Sequence, residues 1–167
     1  VGVVSPTPEV ILNGIDTVRF APGAHTGALR RRIGVDDSAL VVGHVGRFAP
    51  VKNHRMLIDA LARVAIPGAE VHLALIGDGE LRAELGSQVT ELGLATRVHF
   101  IGEQRDVAPL LPDLDVFVLC SLAEGTSISL LEALAAGTPC IATAVGGNVA
   151  VLADGAAGRL VPSNDVT

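Results

Sequence analysis

The sequence predicts an α/β fold in which a doubly wound, Rossmann-like parallel sheet is covered by helices on both faces. Apolar runs of four to six residues alternate along the chain with segments whose apolar residues recur at helical spacing. Strands that are apolar throughout are typical of parallel sheets buried on both faces. Glycines and prolines interrupt the chain at many of the junctions, which is typical of successive βαβ units.

The elements follow one another in a regular order. The predicted strands are Leu40–Val45, Val71–Ile76, Val98–Ile101, Asp115–Leu119, Pro139–Ala142 and Arg159–Val161. The predicted helices are Asn53–Val64, Leu81–Leu92, Val107–Leu111, Ser127–Ala136 and a short piece at Asn148–Ala153. Pro67 and Gly68 end the first of these helices, and Gly93 and Gly137 are the expected C-caps of two others.

The first 39 residues do not follow this pattern. The range Val10–Phe20 predicts a strand and a turn, and Leu29–Ile33 predicts a small basic helix. We expect residues 1–39 to be an entry segment from another, missing domain. We expect residues 40–167 to form the Rossmann-like domain without its final helix, as a piece of a longer protein.

Composition excludes several classes of function. A chain of 167 residues fits one domain. With 2% aromatic residues and a net charge of -6, neither a stacking platform for single strands nor a basic face for duplex nucleic acid is expected. Two cysteines cannot build a disulfide framework or a cysteine-based zinc site. No apolar run approaches the roughly 18 residues of a transmembrane segment.

The loop after the first predicted strand carries two cations. Ligands of doubly wound sheets bind outside the carboxyl ends of the strands, where this loop is expected. Arg47 and Lys52 stand five residues apart on a turn that leads into a helix. They can clamp a diphosphate, with the amides and dipole of the helix N-terminus in support. A solvated surface turn explains the local pattern equally well.

The loop Gly77–Glu80 only partly matches a dinucleotide-binding fingerprint. The pattern G-x-G-x-x-G requires glycine at position 82, where this sequence has Arg82. No acidic residue follows at a strand end about 20 residues later. Hydride transfer is therefore not predicted. Gly77 stays a candidate for close approach to a ligand, with a plain tight turn as the alternative.

The loop after the fourth predicted strand is the strongest candidate site. Glu124 lies in it beside Gly125, which permits close approach of the backbone to a ligand. Thr126 and Ser127 are favoured N-cap residues. The amides near Ser127–Ser129 would then face a bound anion.

Glu132 is a carboxylate inside an otherwise apolar helical segment. Such a residue is rarely buried without a partner. It is therefore a candidate to accept hydrogen bonds from ligand hydroxyls. A salt bridge or an exposed position on the helix surface is the alternative.

The sequence lacks the residue patterns of several other kinds of active site. The five histidines form no i,i+4 pair and no cluster with carboxylates that would bind a metal. The sequence contains neither a G-x-S-x-G elbow nor a G-x-x-x-x-G-K-[ST] loop. Cys120 and Cys140 lie in apolar runs and are interpreted as buried thiols, which suit a reducing compartment.

Taken in order, these segments resemble one known family. The motifs are Asn13-Gly-Ile-Asp-Thr-x-x-Phe20, Gly46-Arg47-x-x-x-x-Lys52, Ile76-Gly-Asp-Gly79, Val98-x-Phe100-x-Gly102, Glu124-Gly125 through Glu132-Ala133, Gly137-Thr-Pro139 and Gly146-Gly147. Over nearly the whole chain they resemble the C-terminal half of group 1 (family 4) glycosyltransferases of the GT-B fold. The most specific element is the pair Glu124 and Glu132 with seven residues between them.

The resemblance implies a retaining hexosyltransferase that takes a UDP-, GDP- or ADP-sugar as donor, with no metal and no other cofactor. Arg47 and Lys52 would neutralise the donor diphosphate and stabilise it as it departs. Glu124 would contact the donor sugar and complete the catalytic set, and Glu132 would bind the ribose hydroxyls. The other donor-binding residues implied are Gly77, His99, Ile101, Gly125, Thr126, Ser127, Ile128 and Ser129.

The resemblance also implies what lies outside this chain. The acceptor, a glycan or a lipid, would bind through the missing N-terminal domain, so the isolated chain is expected to be inactive. Surface polysaccharide or glycolipid synthesis is the implied setting, and the cytoplasm the implied location, with peripheral attachment to the inner membrane face in the full-length enzyme. The chain departs from the family at Ala150, where a glutamate often follows Gly146-Gly147.

Two alternatives remain open. One is a non-catalytic GT-B module that binds a partner chain, and the other is a relative of the nucleotide-sugar epimerases. A phosphorylase of this fold would need a cofactor lysine, and Lys52 is the sole lysine of the sequence.

Overall fold

The computed structural model describes residue 11 and residues 13–164 and contains one parallel six-stranded sheet. The strands are β1 (Leu40–Val45), β2 (Val71–Ile76), β3 (Val98–Gly102), β4 (Val116–Leu119), β5 (Cys140–Thr143) and β6 (Arg159–Val161). Their order is β3-β2-β1-β4-β5-β6, with every neighbouring pair parallel. The predicted α/β fold and its strands are confirmed, each strand to within one residue at either end.

The helices lie where helical spacing predicts them. They are α1 (Ala28–Ile33), α2 (His54–Arg63), α3 (Arg82–Glu91), α4 (Ile128–Ala135) and α5 (Asn148–Val151), with short 3-10 helices at Pro50–Lys52, Leu111–Asp113 and Ala153–Gly155. Three of the predicted helices are one residue too long at each end, because the predicted ranges include the cap residues that flank α2, α3 and α4.

The helix predicted at Val107–Leu111 is wrong. Residues 108–110 form a turn, and a 3-10 helix follows at Leu111–Asp113. Pro109 and Pro112 explain the difference, because proline lacks an amide donor and disfavours the α conformation in the residue before it.

The strand predicted within Val10–Phe20 is absent from residues 13–16, while residues 10 and 12 lie outside the described part of the chain. The predicted turn is present at residues 17–20. The Asp16 carboxylate accepts hydrogen bonds from the amides of Val18 and Arg19, at 3.0 Å each. The amides of Val18 and Arg19 are thus bonded to a side chain and not to a neighbouring strand.

Two apolar cores cover the two faces of the sheet. One contains Ile58 and Leu61 of α2 and Leu85 of α3 against Leu73 and Leu75 of β2. The other joins α1 and α4 to the opposite face of the sheet. Its large buried side chains include Phe20, Leu29, Phe117, Leu119, Leu130 and Leu152. Because both faces are covered in this part of the sheet, the polar loops are confined to the strand ends.

Residues 13–39 pack onto the rest of the described chain through buried polar contacts. The Asp113 carboxylate accepts hydrogen bonds from the Leu29 amide (2.9 Å), the Gly27 amide (2.9 Å) and the Thr26 hydroxyl (3.1 Å). Burial by itself raises the pKa of Asp113, but these donors outweigh it and hold the pKa below its ordinary value. Arg30 adds an ion pair to Asp115 at 2.6 Å.

Candidate active site

The loops after β1, β2 and β3 surround a cleft of about 430 Å³ at the carboxyl edge of the sheet. Arg47 and Gly77, two of the predicted site residues, line it together with Glu103 and Gln104. The loops after β4 and β5 lie at the same edge, since all six strands are parallel. The fold therefore brings the predicted loops together where a doubly wound sheet binds its ligand.

The loop after β2 packs directly on the loop after β1. The Phe48 amide donates to the Asp78 carbonyl at 2.9 Å. A Cβ atom at Gly77 would overlap the Gly46 carbonyl, and one at Gly79 would lie 2.6 Å from the Phe48 carbonyl. Gly77 also has φ near 140°, which other residues rarely adopt. Contact between the two loops is thus sufficient to explain both glycines.

Arg47 is exposed and lies in an ion pair across this loop contact. Its Nη2 atom is 3.1 Å from Oε2 of Glu80, and the two side chains are 75% and 48% exposed. An exposed pair of this kind is weak and exchanges readily with other partners. The guanidinium is therefore available to an anion that enters the cleft.

Lys52 ends the 3-10 helix that precedes α2 and points towards the loop after β4. Its Nζ atom lies 2.5 Å from Oε1 of Glu124, with the two side chains only 22% and 11% exposed. The Ser121 hydroxyl donates to the same carboxylate oxygen at 2.6 Å. The two residues predicted to face the donor from separate loops are thus in direct contact.

Ser127 begins α4 as its N-cap. Its hydroxyl accepts a hydrogen bond from the Leu130 amide at 3.4 Å and contacts the Ser129 hydroxyl at 3.3 Å. The first-turn amides of a helix have no acceptor within the helix. The amides at the start of α4 therefore add partial positive charge beside Glu124. Of the two predicted cap residues, Ser127 and not Thr126 fills the position.

The glycine pair after β5 packs against the backbone of the Glu124 loop. The Gly147 amide donates to the Glu124 carbonyl at 3.2 Å. A Cβ atom at Gly146 would overlap the Glu124 carbonyl, and one at Gly147 would overlap the Gly125 carbonyl. The pair Gly146-Gly147 is therefore required by close backbone packing against residues 124–125.

Glu132 is half-buried on α4. Burial raises its pKa, and the positive charge of Arg19 partly opposes this rise. Within the described residues its carboxylate has no hydrogen bond and no ion pair, since Arg19 is bound to Asp106 at 2.9 Å. Neither of the two alternatives, a salt bridge or an exposed position on the helix surface, describes it.

His99 and Ile101 are placed differently by β3. His99 lies one residue from the start of the strand, and its Nε2 atom is 3.1 Å from Nδ1 of His72. The side chain of Ile101 is buried in the core, and its carbonyl accepts a hydrogen bond from Arg32 at 2.8 Å. The structure therefore does not bring the His99 ring to the cleft that Arg47 and Gly77 line.

Both cysteines are buried, free thiols, as predicted. The Cys120 thiol donates to the Lys52 carbonyl at 3.1 Å, and burial raises its pKa to about 12. Burial likewise raises the pKa of Cys140 to about 12. A thiol with so high a pKa is a poor nucleophile, so these residues serve as packing groups.

Two features are absent from the part of the chain that the structure describes. In residue 11 and residues 13–164, no group of three or more His, Cys, Asp or Glu side chains is arranged to hold a metal ion. None of the helices in the same part of the chain is both long enough and apolar enough to cross a membrane.

Comparison with known proteins identifies the family. The profile of the family described as glycosyl transferases group 1 matches residues 39–167. The chain belongs to this family. One relative is the UDP-Gal:alpha-D-GlcNAc-diphosphoundecaprenol alpha-1,3-galactosyltransferase of Escherichia coli, 34% identical over 95% of this chain and 42% of its own length. Another is the lipopolysaccharide core biosynthesis glycosyltransferase LpsE of Rhizobium meliloti, 40% identical over 81% of this chain and 39% of its own.

Solved structures agree with this assignment. Anabaena HepE in complex with UDP-glucose has a TM-score of 0.85 and 32% identity over 95% of this chain and 44% of that one. Sucrose-phosphate synthase from Thermosynechococcus elongatus has a TM-score of 0.79 and 30% identity over 92% and 39%. The predicted GT-B fold is thereby confirmed. The chain spans less than half the length of each of these relatives.

Sequence reasoning missed several residues of this group 1 glycosyltransferase chain. Ser121 is a polar residue just beyond the carboxyl end of β4, and that position was the signal that could have identified it. Arg19 and Glu80 carried no such signal, because each becomes relevant only through a partner that is distant in the sequence.

Proposed function

We propose that this chain binds the nucleotide-sugar donor of a retaining glycosyltransferase. The observation that carries the proposal is the grouping of Arg47, Lys52, Glu124 and the first turn of α4 on loops at one edge of the sheet. UDP is favoured over GDP and ADP because HepE, at 32% identity, is known in complex with UDP and with UDP-glucose. A hexosyl group would pass from this donor to a saccharide or lipid-linked acceptor, in surface polysaccharide or glycolipid synthesis.

Arg47 and Lys52 bind the diphosphate in this proposal. Each now pairs with a carboxylate, so the donor would replace Glu80 and Glu124 as their partner. Breakage of the bond between the sugar and the phosphate leaves negative charge on the departing UDP. Two cations and the helix amides stabilise that charge, which lowers the barrier without a metal ion.

The two glutamates bind different parts of the donor in this proposal. Glu132 is half-buried and has no partner among the described residues, so its carboxylate is free to accept hydrogen bonds from two ribose hydroxyls. Glu124 contacts the sugar hydroxyls and favours positive charge on the anomeric carbon. Backbone groups of Gly77, Ile101 and residues 125–129 complete the proposed donor contacts. The His99 ring is left out of this set, because it lies against His72 near the start of β3.

The whole protein's activity needs more than this chain. Residues 1–39 would lead in from an N-terminal domain that binds the acceptor, and residues 40–167 form the donor domain. Asn13 contacts the donor loop, because its side-chain amide donates to the Thr126 carbonyl at 3.4 Å. The chain alone would then bind donor and transfer little or nothing, and the full enzyme would work in the cytoplasm at the inner membrane face.

A second candidate function has one observation in its favour. An apolar cleft of about 680 Å³ lies between α2 and the sheet, with Met56, Val118 and Ile141 among its lining residues. A non-catalytic module that binds a partner chain would use such a surface and would not need a nucleotide. An epimerase relative would instead bind the same donor and release it altered, with no acceptor present.

Calorimetric titration of the chain with UDP, GDP and ADP, in the presence of a chelator, tests the proposal. We expect saturable binding of UDP without metal. Binding of UDP that is abolished by the chelator would contradict the metal-free site. Failure of all three nucleotides to bind would favour the non-catalytic module, and conversion of the sugar in UDP-glucose without an acceptor would favour the epimerase.

A further inference from the structure

The Glu124 carboxylate is held by one of its two oxygens. Oε1 accepts hydrogen bonds from both the Lys52 ammonium and the Ser121 hydroxyl, at 2.5 and 2.6 Å. Oε2 has no hydrogen-bond partner within the part of the chain that the structure describes. The carboxylate is thus pinned on one side and free on the other.

Ser121 is itself fixed by a buried chain of hydrogen bonds. The Thr143 hydroxyl donates to the Ser121 carbonyl at 2.6 Å, and the Asn148 side-chain amide donates to the Thr143 carbonyl at 3.0 Å. All three residues are fully buried. The Ser121 hydroxyl therefore projects from a site that β5 and α5 hold rigid, which limits the directions in which it can donate.

The two donors to Glu124 differ in what a donor diphosphate would do to them. Lys52 carries its charge at the end of a long side chain with several rotatable bonds, and in the proposed function it turns to the phosphate oxygens. Ser121 is neutral, buried and held in place, so its hydroxyl stays bound to Glu124 when the diphosphate binds. Once Lys52 moves, the serine hydroxyl is the contact that keeps Oε1 in place, and hydrogen bonds to a charged group are stronger than neutral ones.

We propose that Ser121 is a positioning residue for Glu124. Its hydroxyl holds Oε1 so that Oε2 faces the hydroxyl groups of the donor sugar after Lys52 has moved to the diphosphate. This inference rests on the proposed function. It differs from a purely structural role, because removal of the hydroxyl should weaken recognition of the sugar and leave recognition of the nucleotide unchanged.

Calorimetry with UDP and with UDP-glucose, UDP-galactose and UDP-N-acetylglucosamine tests this distinction. In Ser121→Ala we expect affinity for the best-bound UDP-sugar to fall about tenfold and affinity for UDP to stay within about twofold. Ser121→Cys keeps the side-chain shape with a weaker donor and should lie between. Ser87→Ala on the exposed surface of α3 is the matched control and should change neither. Thermal unfolding checks that each variant folds.

A double-mutant cycle shows whether the effect runs through Glu124. In a Glu124→Gln background, Ser121→Ala should change the UDP-sugar affinity by less than about twofold, since the carboxylate it orients is gone. Equal losses for UDP and UDP-sugar, or no loss for either, would overturn the inference and leave the nucleotide site intact. Failure of the unaltered chain to bind UDP would overturn the proposed function itself, and the inference with it.

Discussion

The ammonium of Lys52 and the carboxylate of Glu124 are largely withdrawn from water, with side-chain exposures of 22% and 11%. A charge in this position needs a partner at all times, because an unpaired buried charge is costly. A diphosphate can supply the partner for Lys52, while Ser121 stays on Glu124. In the proposed function, the donor therefore replaces Glu124 as the partner of Lys52.

Replacement of Lys52 tests this exchange. In Lys52→Ala, loss of a charged contact to phosphate should cost about 1.5–3 kcal/mol, which weakens UDP binding by about 10- to 150-fold. Calorimetry measures the effect, and Arg63→Ala, at the far end of α2, removes a cation outside the site as the control. Unchanged UDP affinity in Lys52→Ala would contradict the role of this lysine.

Glu80 should compete with the donor for Arg47. In Glu80→Gln the guanidinium loses its partner at 3.1 Å, so UDP should bind about two- to fivefold more tightly, the range expected for an exposed pair. Glu84→Gln on α3 breaks the similarly exposed pair with Arg55 of α2 and is the matched control. Weaker binding in Glu80→Gln, or equal changes in the two variants, would argue against competition for Arg47.

The ion pairs show where sequence reasoning at the residue scale ends. The residue types and their spacing in the sequence were enough to select Arg47, Lys52, Glu124 and Glu132 as candidate site residues. Their partners were not predictable, because 33 positions separate Arg47 from Glu80 and 72 separate Lys52 from Glu124. Only the sheet order brings such loops together.

At the scale of elements, the loop after β5 determines where the Glu124 loop lies. Gly146 has φ near +49°, and a Cβ atom there would overlap the Glu124 carbonyl, so a side chain there meets both backbone strain and a clash. Gly93, with φ near +66° and open space around it, carries the strain alone. Comparison of the two glycines therefore separates the cost of backbone strain from the cost of the clash.

Comparison of Gly146→Ala with Gly93→Ala measures the clash. The Gly93 variant should lower the free energy of unfolding by about 1–2 kcal/mol, the cost of the left-handed conformation. The Gly146 variant should lower it by about 1–3 kcal/mol more, the cost of forcing atoms into a packed site. Denaturant unfolding provides both values. Equal values for the two variants would contradict close packing of this loop on Glu124.

Elements themselves were largely predictable from the sequence. Apolar runs such as Val71–Ile76 are buried along their whole length, so their limits are visible as changes of composition. The segment at 107–111 misled because its apolar residues suggest a helix while two prolines prevent one. The predicted N-terminal strand does not form at residues 13–16, and from Asp16 the chain turns through a side-chain contact.

At the scale of the whole molecule, two histidines make folding sensitive to acid. His44 of β1 and His54 of α2 are fully buried, with ring centroids 4.5 Å apart. Burial lowers the pKa of His44 to about 4 and that of His54 to about 3. Both rings are therefore neutral in the folded protein at a pH where the unfolded chain, with an ordinary pKa near 6.5, takes up protons.

The unfolded state then binds more protons than the folded state below pH 6.5. The free energy of unfolding should be independent of these histidines above that pH. It should fall, by about 1.4 kcal/mol per pH unit for each histidine, as the pH drops from 6.5 towards 4. His54→Leu should halve this dependence, whereas the exposed control His25→Gln should not alter it. A stability that stays constant between pH 6.5 and 4.5 would rule out this effect.

In the proposed function, the loops at the carboxyl edge of the sheet bind a nucleoside diphosphate. The most direct measurement is a titration of the ¹⁵N-labelled chain with UDP, followed by amide NMR shifts residue by residue. We predict that the shifts concentrate in residues 46–52, 76–80 and 121–132, around the cleft and the start of α4. Shifts confined to the apolar cleft beside Met56 and Ile141, or no shifts at saturating UDP, would contradict the claim.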